Sequence, residues 1–124
     1  MTMRSKIKLA GVIIWTQNFK EMSTFYIDVL GFYPKTSRDN FINFERDNLK
    51  LSISVHENVK NLSKDPFRIM INLESEDIFV MYHDLLSKGV EFIRKPEEES
   101  WGLVASFYDP DRNIIQLIQN HKIN

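Results

Sequence analysis

The sequence predicts an α+β fold in which one order of elements, a strand, a helix and three strands, occurs twice. Three observations carry this. Apolar spacing switches between period two and helical period in the same order in each half. A polar stretch, Glu57 to Asp65, separates the halves. Tyr26, Asp28 and Leu30 recur as Tyr82, Asp84 and Leu86, and Phe44 before the Asp47-Asn48 turn matches Phe107 before Asp109-Pro110-Asp111-Arg112-Asn113. The expected layout is one domain over residues 1–124, with module one at about 6–57, a linker at 58–65 and module two at about 66–120.

Ile7 to Thr16 reads as a strand with apolar residues on both faces. Asn18 stands in N-cap position, with Glu21 three residues on to complete a capping box. Phe19, Met22, Phe25, Tyr26, Val29 and Leu30 follow at helical spacing, and Gly31 ends the helix. Three strands are expected next, at Phe32 to Thr36, Asn40 to Arg46 and Leu49 to His56, the last two joined through Asp47-Asn48. In the second half, Phe67, Ile69, Ile71 and Leu73 alternate with Arg68, Met70 and Asn72, as in a strand. Ser75 is the expected cap of a helix with Glu76 and Asp77 in its first turn, where the dipole favours acids. Ile78, Met81, Tyr82, Leu85 and Leu86 form the apolar stripe, and Lys88-Gly89 closes it. Val90 to Lys95, Gly102 to Tyr108 and Asn113 to Gln119 read as the last three strands.

Composition narrows the function classes. The 124 residues are 43% hydrophobic and 27% charged, with net charge -1. That balance is ordinary for a globular chain and lacks the basic excess of a nucleic-acid-binding domain. There is no cysteine, which excludes disulfides, thiolate nucleophiles and cysteine-ligated metals. No apolar run reaches the ~18 residues of a membrane span. Arg4, Lys6 and Lys8 precede only a short apolar stretch without a small-residue cleavage site. The expectation is a soluble, cytoplasmic protein with no nucleic-acid or membrane partner.

Two segments resemble one family. Phe25-Tyr26-Ile27-Asp28-Val29-Leu30-Gly31-Phe32 is similar to a helix-end segment of the vicinal oxygen chelate superfamily. That group includes glyoxalase I, bleomycin-resistance proteins, fosfomycin-resistance enzymes and extradiol dioxygenases. Trp101-Gly102, followed by Phe107-Tyr108-Asp109-Pro110-Asp111-Arg112-Asn113-Ile114-Ile115-Gln116-Leu117, is similar to its C-terminal segment. The resemblance spans about Lys8 to Gln119. It implies the vicinal oxygen chelate (glyoxalase-like) fold: two βαβββ modules, each an open curved sheet around a cavity with its helix on the other face. Such a fold hosts several chemistries. Arg112 stands where the family has glycine; a positive φ there would cost Arg about 1 kcal/mol.

Enzymes of the superfamily hold a divalent metal through His, Glu or Gln on four strands. Carried over one at a time, these positions fall at Gly11, Lys50, Arg68 (Met70 if the register slips by two) and Gln116. Glycine has no donor, and lysine and arginine are cationic at neutral pH. One amide oxygen cannot replace the three or more ligands that a transition metal needs. His56 shares the parity of Lys50 but lies about 20 Å along the strand at ~3.3 Å per residue. The sequence therefore predicts no metal and no cofactor.

If Lys50 and Gln116 face the cavity, strand alternation places Ser52, Ser54, His56 and Ile118 there too, with Gly11, Ile13, Trp15, Arg68, Met70 and Asn72. The candidate ligand-binding residues are Trp15, Lys50, Ser52, His56, Arg68, Trp101 and Gln116, and no catalytic residue is assigned. Lys50 and Arg68 would put their charge where the ion's would be and receive an anionic or carbonyl-bearing molecule; alternatively both extend to solvent or pair with acids such as Glu45 and Glu74. His83, His121 and the Glu97-Glu98-Glu99 run, read as a solvated loop, are given no role. Tyr26 and Tyr82 are read as helix-packing residues. The leading function is metal-independent small-molecule binding of the bleomycin-resistance kind, by a homodimer. The alternatives are a metal-dependent glyoxalase-type lyase or dioxygenase, and a non-catalytic interaction or regulatory domain.

Overall fold

A computed structural model describes residues 6–121. The chain divides into two units, Met1–Lys60 and Asn61–Asn124. In the first, β1 (Gly11–Thr16) leads into α1 (Phe19–Thr24), which widens into a π-helical turn at Phe25–Val29, and β2 (Thr36–Arg38), β3 (Phe41–Arg46) and β4 (Leu49–Val55) follow. In the second, the order is β5 (Ile71–Glu74), α2 (Ile78–Ser87), β6 (Phe92–Glu99), β7 (Gly102–Tyr108) and β8 (Ile114–Asn120). Each unit folds one four-stranded mixed sheet, ordered β1-β4-β3-β2 in one and β5-β8-β7-β6 in the other. The first strand of each pairs parallel with the last, and the other pairs are antiparallel. The repeated order of elements is thus a repeated topology.

The helix side of each sheet repeats as well. Tyr26 of the π turn packs on Phe32 and Phe44, at centroid distances of 6.2 and 6.5 Å, and Phe32 lies 5.4 Å from Phe44. In the second unit Tyr82 lies 4.7 Å from Phe92, and Phe92 lies 5.4 Å from Phe107. Each trio joins a helix to the central hairpin of its sheet. Tyr26, Ile53, Phe107, Ile115 and Leu85 are fully buried. Burying such side chains contributes roughly 1.5–3 kcal/mol each. As read from the sequence, Tyr26 and Tyr82 are packing residues.

Both first strands begin later than the sequence pattern suggests. Ile7 to Ala10 and Phe67 to Met70 alternate like strands but lie outside β1 and β5. The cause is the length of the partner. β4 and β8 start just after a turn, so β1 finds its first partner at Gly11–Lys50 and β5 at Ile71–Ile115. Ile7, Leu9, Phe67 and Ile69 are left 63–89% exposed. Phe32 to Thr36, expected as a strand, is irregular instead, because Phe32 turns inward to fill the first trio; β2 starts only at Thr36.

The caps differ too. Asn18 makes no side-chain cap bond; its N–H donates to Thr16 Oγ1 at 2.8 Å, so the expected capping box does not form. Asp77, not Ser75, caps α2, accepting from the Val80 N–H, while the Ser75 N–H joins the Ile118 carbonyl. A distant group also helps: Gln119 Oε1 accepts from the Ile78 N–H at 2.7 Å, satisfying another of the unpaired amides of the first turn. Glu97 to Glu99 lie in β6, not in a loop. β6 carries two register shifts, around Arg94, which leave Arg94 opposite Ser106 and Glu97 opposite Val104.

Arg112 does take a positive φ, 67°. Its guanidinium lies 3.7 Å from the Tyr108 ring centroid and 3.0 Å from Glu91, contacts that offset the backbone cost. Asp109 organises this turn, accepting from the Asp111 and Asn113 N–H groups and from Asn113 Nδ2, each at 2.9 Å.

Candidate functional site

Strand pairing fixes what each sheet presents on the face away from its helix. Ile42, Phe44 and Ile53 are buried on the helix side, so their neighbours in sequence point the other way. The central row on that face of the first sheet is Thr36, Asn43, Ser52 and Ile13. Its counterpart in the second sheet is Arg94, Ser106, Gln116 and Asn72. Two rungs further on, the first sheet carries Arg38, Phe41, Ser54 and Trp15, and the second carries Glu97, Val104, Ile118 and Glu74.

Side-chain hydrogen bonds tie the central rows together. Ser52 Oγ donates to Asn43 Oδ1 at 2.9 Å, and Asn43 is buried. Gln116 Nε2 donates to Asn72 Oδ1 at 2.8 Å. Strand alternation puts Asn72 on this face from the sequence alone, whereas Asn43 carries no such expectation. The Asp47-Asn48 turn already implied the Asn43–Ser52 pairing, whereas the Asn72–Gln116 pairing needs the parallel register.

The sequence-predicted residues fall in three places. Trp15, Lys50 and Ser52 belong to the first unit, where β1 and β4 bring them to one face, and His56 follows just past the end of β4. Lys50 is well exposed, with Nζ 3.9 Å from Glu45 Oε1. Glu45 also accepts from Lys35 Nζ at 3.0 Å, and that bond holds its carboxyl below the usual carboxylate range, with Lys50 adding to the effect. The His56 ring meets the Trp15 ring edge-on at 5.0 Å, and its Nδ1 accepts from the Asn58 N–H. The neutral ring therefore carries its proton on Nε2. Gln116 belongs to the second unit, and Trp101, 42% exposed, sits on the turn between β6 and β7.

Arg68 departs from the expectation. It lies in a bend before β5, not on a strand face, and its Nε donates to Asp65 at 3.1 Å with the side chain 76% exposed. The β5 residue opposite Gln116 is Asn72. The cation that does stand on the second sheet's face is Arg94, whose guanidinium is bonded by Glu97 and Glu99; these bonds raise its pKa further.

Gly11 is constrained by its surroundings. A Cβ there would stand 2.2 Å from the Lys50 carbonyl oxygen. β1 can run beside β4 at this point only without a side chain. No group of three His, Cys, Asp or Glu that could hold a metal ion occurs among the described residues.

With fold and geometry in place, comparison with known proteins is decisive on one point. The model of the glyoxalase/bleomycin resistance protein/dioxygenase superfamily matches residues 8–117. The chain belongs to that superfamily. Its two mixed sheets are the glyoxalase-like α+β fold. An uncharacterised protein of Bacillus subtilis (strain 168), YetH, is 21% identical over 115 residues, covering 89% of this chain and 96% of YetH. Among solved structures, TnmS3, an antibiotic binding protein from Streptomyces sp. CB03234, superposes with a TM-score of 0.77 at 19% identity, over 95% of this chain and all of TnmS3. A superfamily member from Sphaerobacter thermophilus DSM 20745 gives 0.74 at 21% identity, over 92% and 98% of the two chains. At these identities the structures speak for the fold. No helix is long and apolar enough to cross a membrane among the described residues.

Proposed function

We propose that this superfamily member binds a small anionic or carbonyl-bearing molecule on its helix-free sheet surface, without a divalent metal and without turning the molecule over. The observation that carries the reading is the chemistry at the four positions where the superfamily's enzymes place metal ligands. Gly11 cannot carry a side chain beside Lys50, Lys50 is a cation, Arg68 is engaged with Asp65 off the sheet, and Gln116 offers a single amide oxygen, too few ligands for a transition metal. The proposed ligand-facing residues are, in the first unit, Trp15, Lys50, Ser52 and His56 and, in the second unit taken by itself, Trp101 and Gln116. An antibiotic binding protein shares this fold, so the fold is compatible with small-molecule binding. We place the protein in the cytoplasm as a homodimer. The exposed apolar residues ahead of β1 and β5 lie beside outer strands, which are open to pairing.

The test is a thermal-shift panel of small carboxylates, phosphonates and quinones, run with and without EDTA, alongside metal analysis of the purified protein. A ligand at 100 times its Kd adds about 2.7 kcal/mol, a shift of roughly 5–20 °C at this size. The expected result is stabilisation that EDTA leaves unchanged, with metal well below one equivalent. Stoichiometric metal, EDTA-sensitive stabilisation, or no stabilising compound in the panel would each overturn the reading.

A further inference from the structure

Sheet one carries a cluster that the metal positions do not explain. Arg38, Phe41, Ser54 and Trp15 form a row on its helix-free face, and His56 stands beside Trp15. Trp15 and Phe41 belong to β1 and β3, the two neighbours of β4. Strands lie ~4.8 Å apart, so the two aromatic backbones are separated by about 10 Å. Between them stands only a serine, Ser54, whose hydroxyl is turned to the Asn40 carbonyl at 2.7 Å. Two rings flanking a small residue leave a slot about as wide as one planar ring in stacking contact with each wall.

The polar groups around this slot are one-sided. The Arg38 guanidinium lies 4.8 Å from the Phe41 ring centroid and has no carboxylate partner among the described residues. The Trp15 indole N–H likewise has no hydrogen-bond partner among them. The His56 proton is on Nε2, because Nδ1 accepts from Asn58, and Nε2 also lacks a partner there. A cation on the outer side of Phe41 and two N–H groups beside Trp15 thus border the slot from its two sides, with no acid in the row. Trp15 is 41% exposed, so the slot is reachable from solvent.

We infer that this row is a subsite for a planar aromatic ring bearing an acidic group, the ring held between Trp15 and Phe41 and the acid reaching Arg38 past the Phe41 edge, with the Trp15 and His56 N–H groups bordering the opposite wall. This rests on the small-molecule reading above and narrows its ligand class. It adds Arg38 and Phe41 to the recognising residues. The matching row of the second sheet, Glu97, Val104, Ile118 and Glu74, has neither aromatic walls nor a free cation, so the subsite belongs to the first unit alone.

The experiment is a titration of the ¹⁵N-labelled full chain with 2-naphthoate, followed by amide and indole NMR signals. The indoles are assigned with Trp15→Phe and Trp101→Phe. Cyclohexanecarboxylate and 2-naphthylmethylammonium serve as probes lacking the ring or the acid. The expected result is a saturable shift of the Trp15 indole and of residues 38–43 and 52–56, with both control probes weaker. Arg38→Met, an exposed change that leaves the fold intact, should weaken 2-naphthoate about tenfold or more, as expected for a lost charge-assisted bond. Phe41→Leu should weaken it several-fold, and Phe79→Leu, an exposed change on the second unit's helix, should not. An unmoved Trp15 indole, equal affinity for the cationic probe, or an Arg38→Met variant that binds as before would overturn the inference. A failure here with thermal-shift ligands still binding elsewhere would sink the subsite and spare the binding reading. A silent thermal-shift panel would sink the binding reading as well.

Discussion

The two units share a helix side and differ on the other. On the helix side, Tyr26, Phe32 and Phe44 repeat as Tyr82, Phe92 and Phe107, residue type for residue type. On the opposite side, equivalent positions hold unlike chemistry: Ile13 against Asn72, Thr36 against Arg94, Phe41 against Val104, Trp15 against Glu74. Packing restricts a core position to residues that fill the same space, because interiors are close-packed. A face away from the helix is free of that restriction and can diverge toward recognition. The repeat is therefore visible where the fold is built and lost where ligand contact is proposed.

The strongest test of the shared side is truncation of its equivalent phenylalanines. Phe44→Ala and Phe107→Ala should each cost about 3–5 kcal/mol, read by urea denaturation. Near-equal losses would confirm that the trios do the same work in both units. A loss below 1 kcal/mol in either would show that the equivalence is only one of register.

Next in size are two glycines at close backbone approaches. A Cβ on Gly102 would lie 2.1 Å from the Gln119 carbonyl oxygen, much as one on Gly11 would meet Lys50. Gly102→Ala and Gly11→Ala should each cost about 1–3 kcal/mol by overpacking. Gly102 is buried and sits in an antiparallel pair inside its sheet, whereas Gly11 opens an outer strand that can shift. The Gly102 variant should therefore be the worse of the two in thermal melts, and the reverse order would contradict this account.

These contrasts explain what the sequence made legible. Element order and the packing roles of Tyr26 and Tyr82 follow from local pattern, apolar period and repeated Tyr and Phe, whereas a positive φ at Arg112 is suggested only by the family's glycine at that position. Strand starts did not follow, because Ile7 to Ala10 and Phe67 to Met70 have strand-like pattern but no partner past the turns that open β4 and β8. The same error carried Arg68 onto a strand face it does not occupy. Arg38 and Phe41 went unnoticed because their neighbours on that face, Ser54 and Trp15, lie on other strands, and only the register of three strand pairs brings them into one row. Gln119 over α2 is missed for a similar reason: a helix cap from a residue 41 positions away leaves no local signal.

The turn at Arg112 gives a smaller effect. Arg112→Gly releases about 1 kcal/mol of left-handed backbone cost but removes the stacking on Tyr108, worth about 0.5–1 kcal/mol at an exposed site, and the exposed pair with Glu91. The net change should stay within about 0.5 kcal/mol. The matching turn of the first unit, Asp47-Asn48, holds φ of 53° and 67° with residues that tolerate that region. Asn48→Arg has no such ring prepared for it and should destabilise more than Arg112→Gly does, in parallel melts.

The smallest effect is electrostatic and separates the ion pairs of the two sheets. Glu45 is held below its usual range by the bond from Lys35, with Lys50 nearby. Its folded pKa is lower than its unfolded one, so the contribution to stability is complete above the ordinary carboxylate range. It fades as pH falls through the lowered folded value. Lys35→Met should move the Glu45 titration, followed by its side-chain carboxyl ¹³C signal, up toward the ordinary value while leaving the melting temperature near neutral pH almost unchanged, as exposed pairs contribute little. Lys50→Met should move it less, since Lys50 stands 3.9 Å from Glu45 and makes no hydrogen bond to it. A larger shift from Lys50 than from Lys35 would mean that Lys50 turns to Glu45 in solution, and would weaken its claim as a group held free for a ligand.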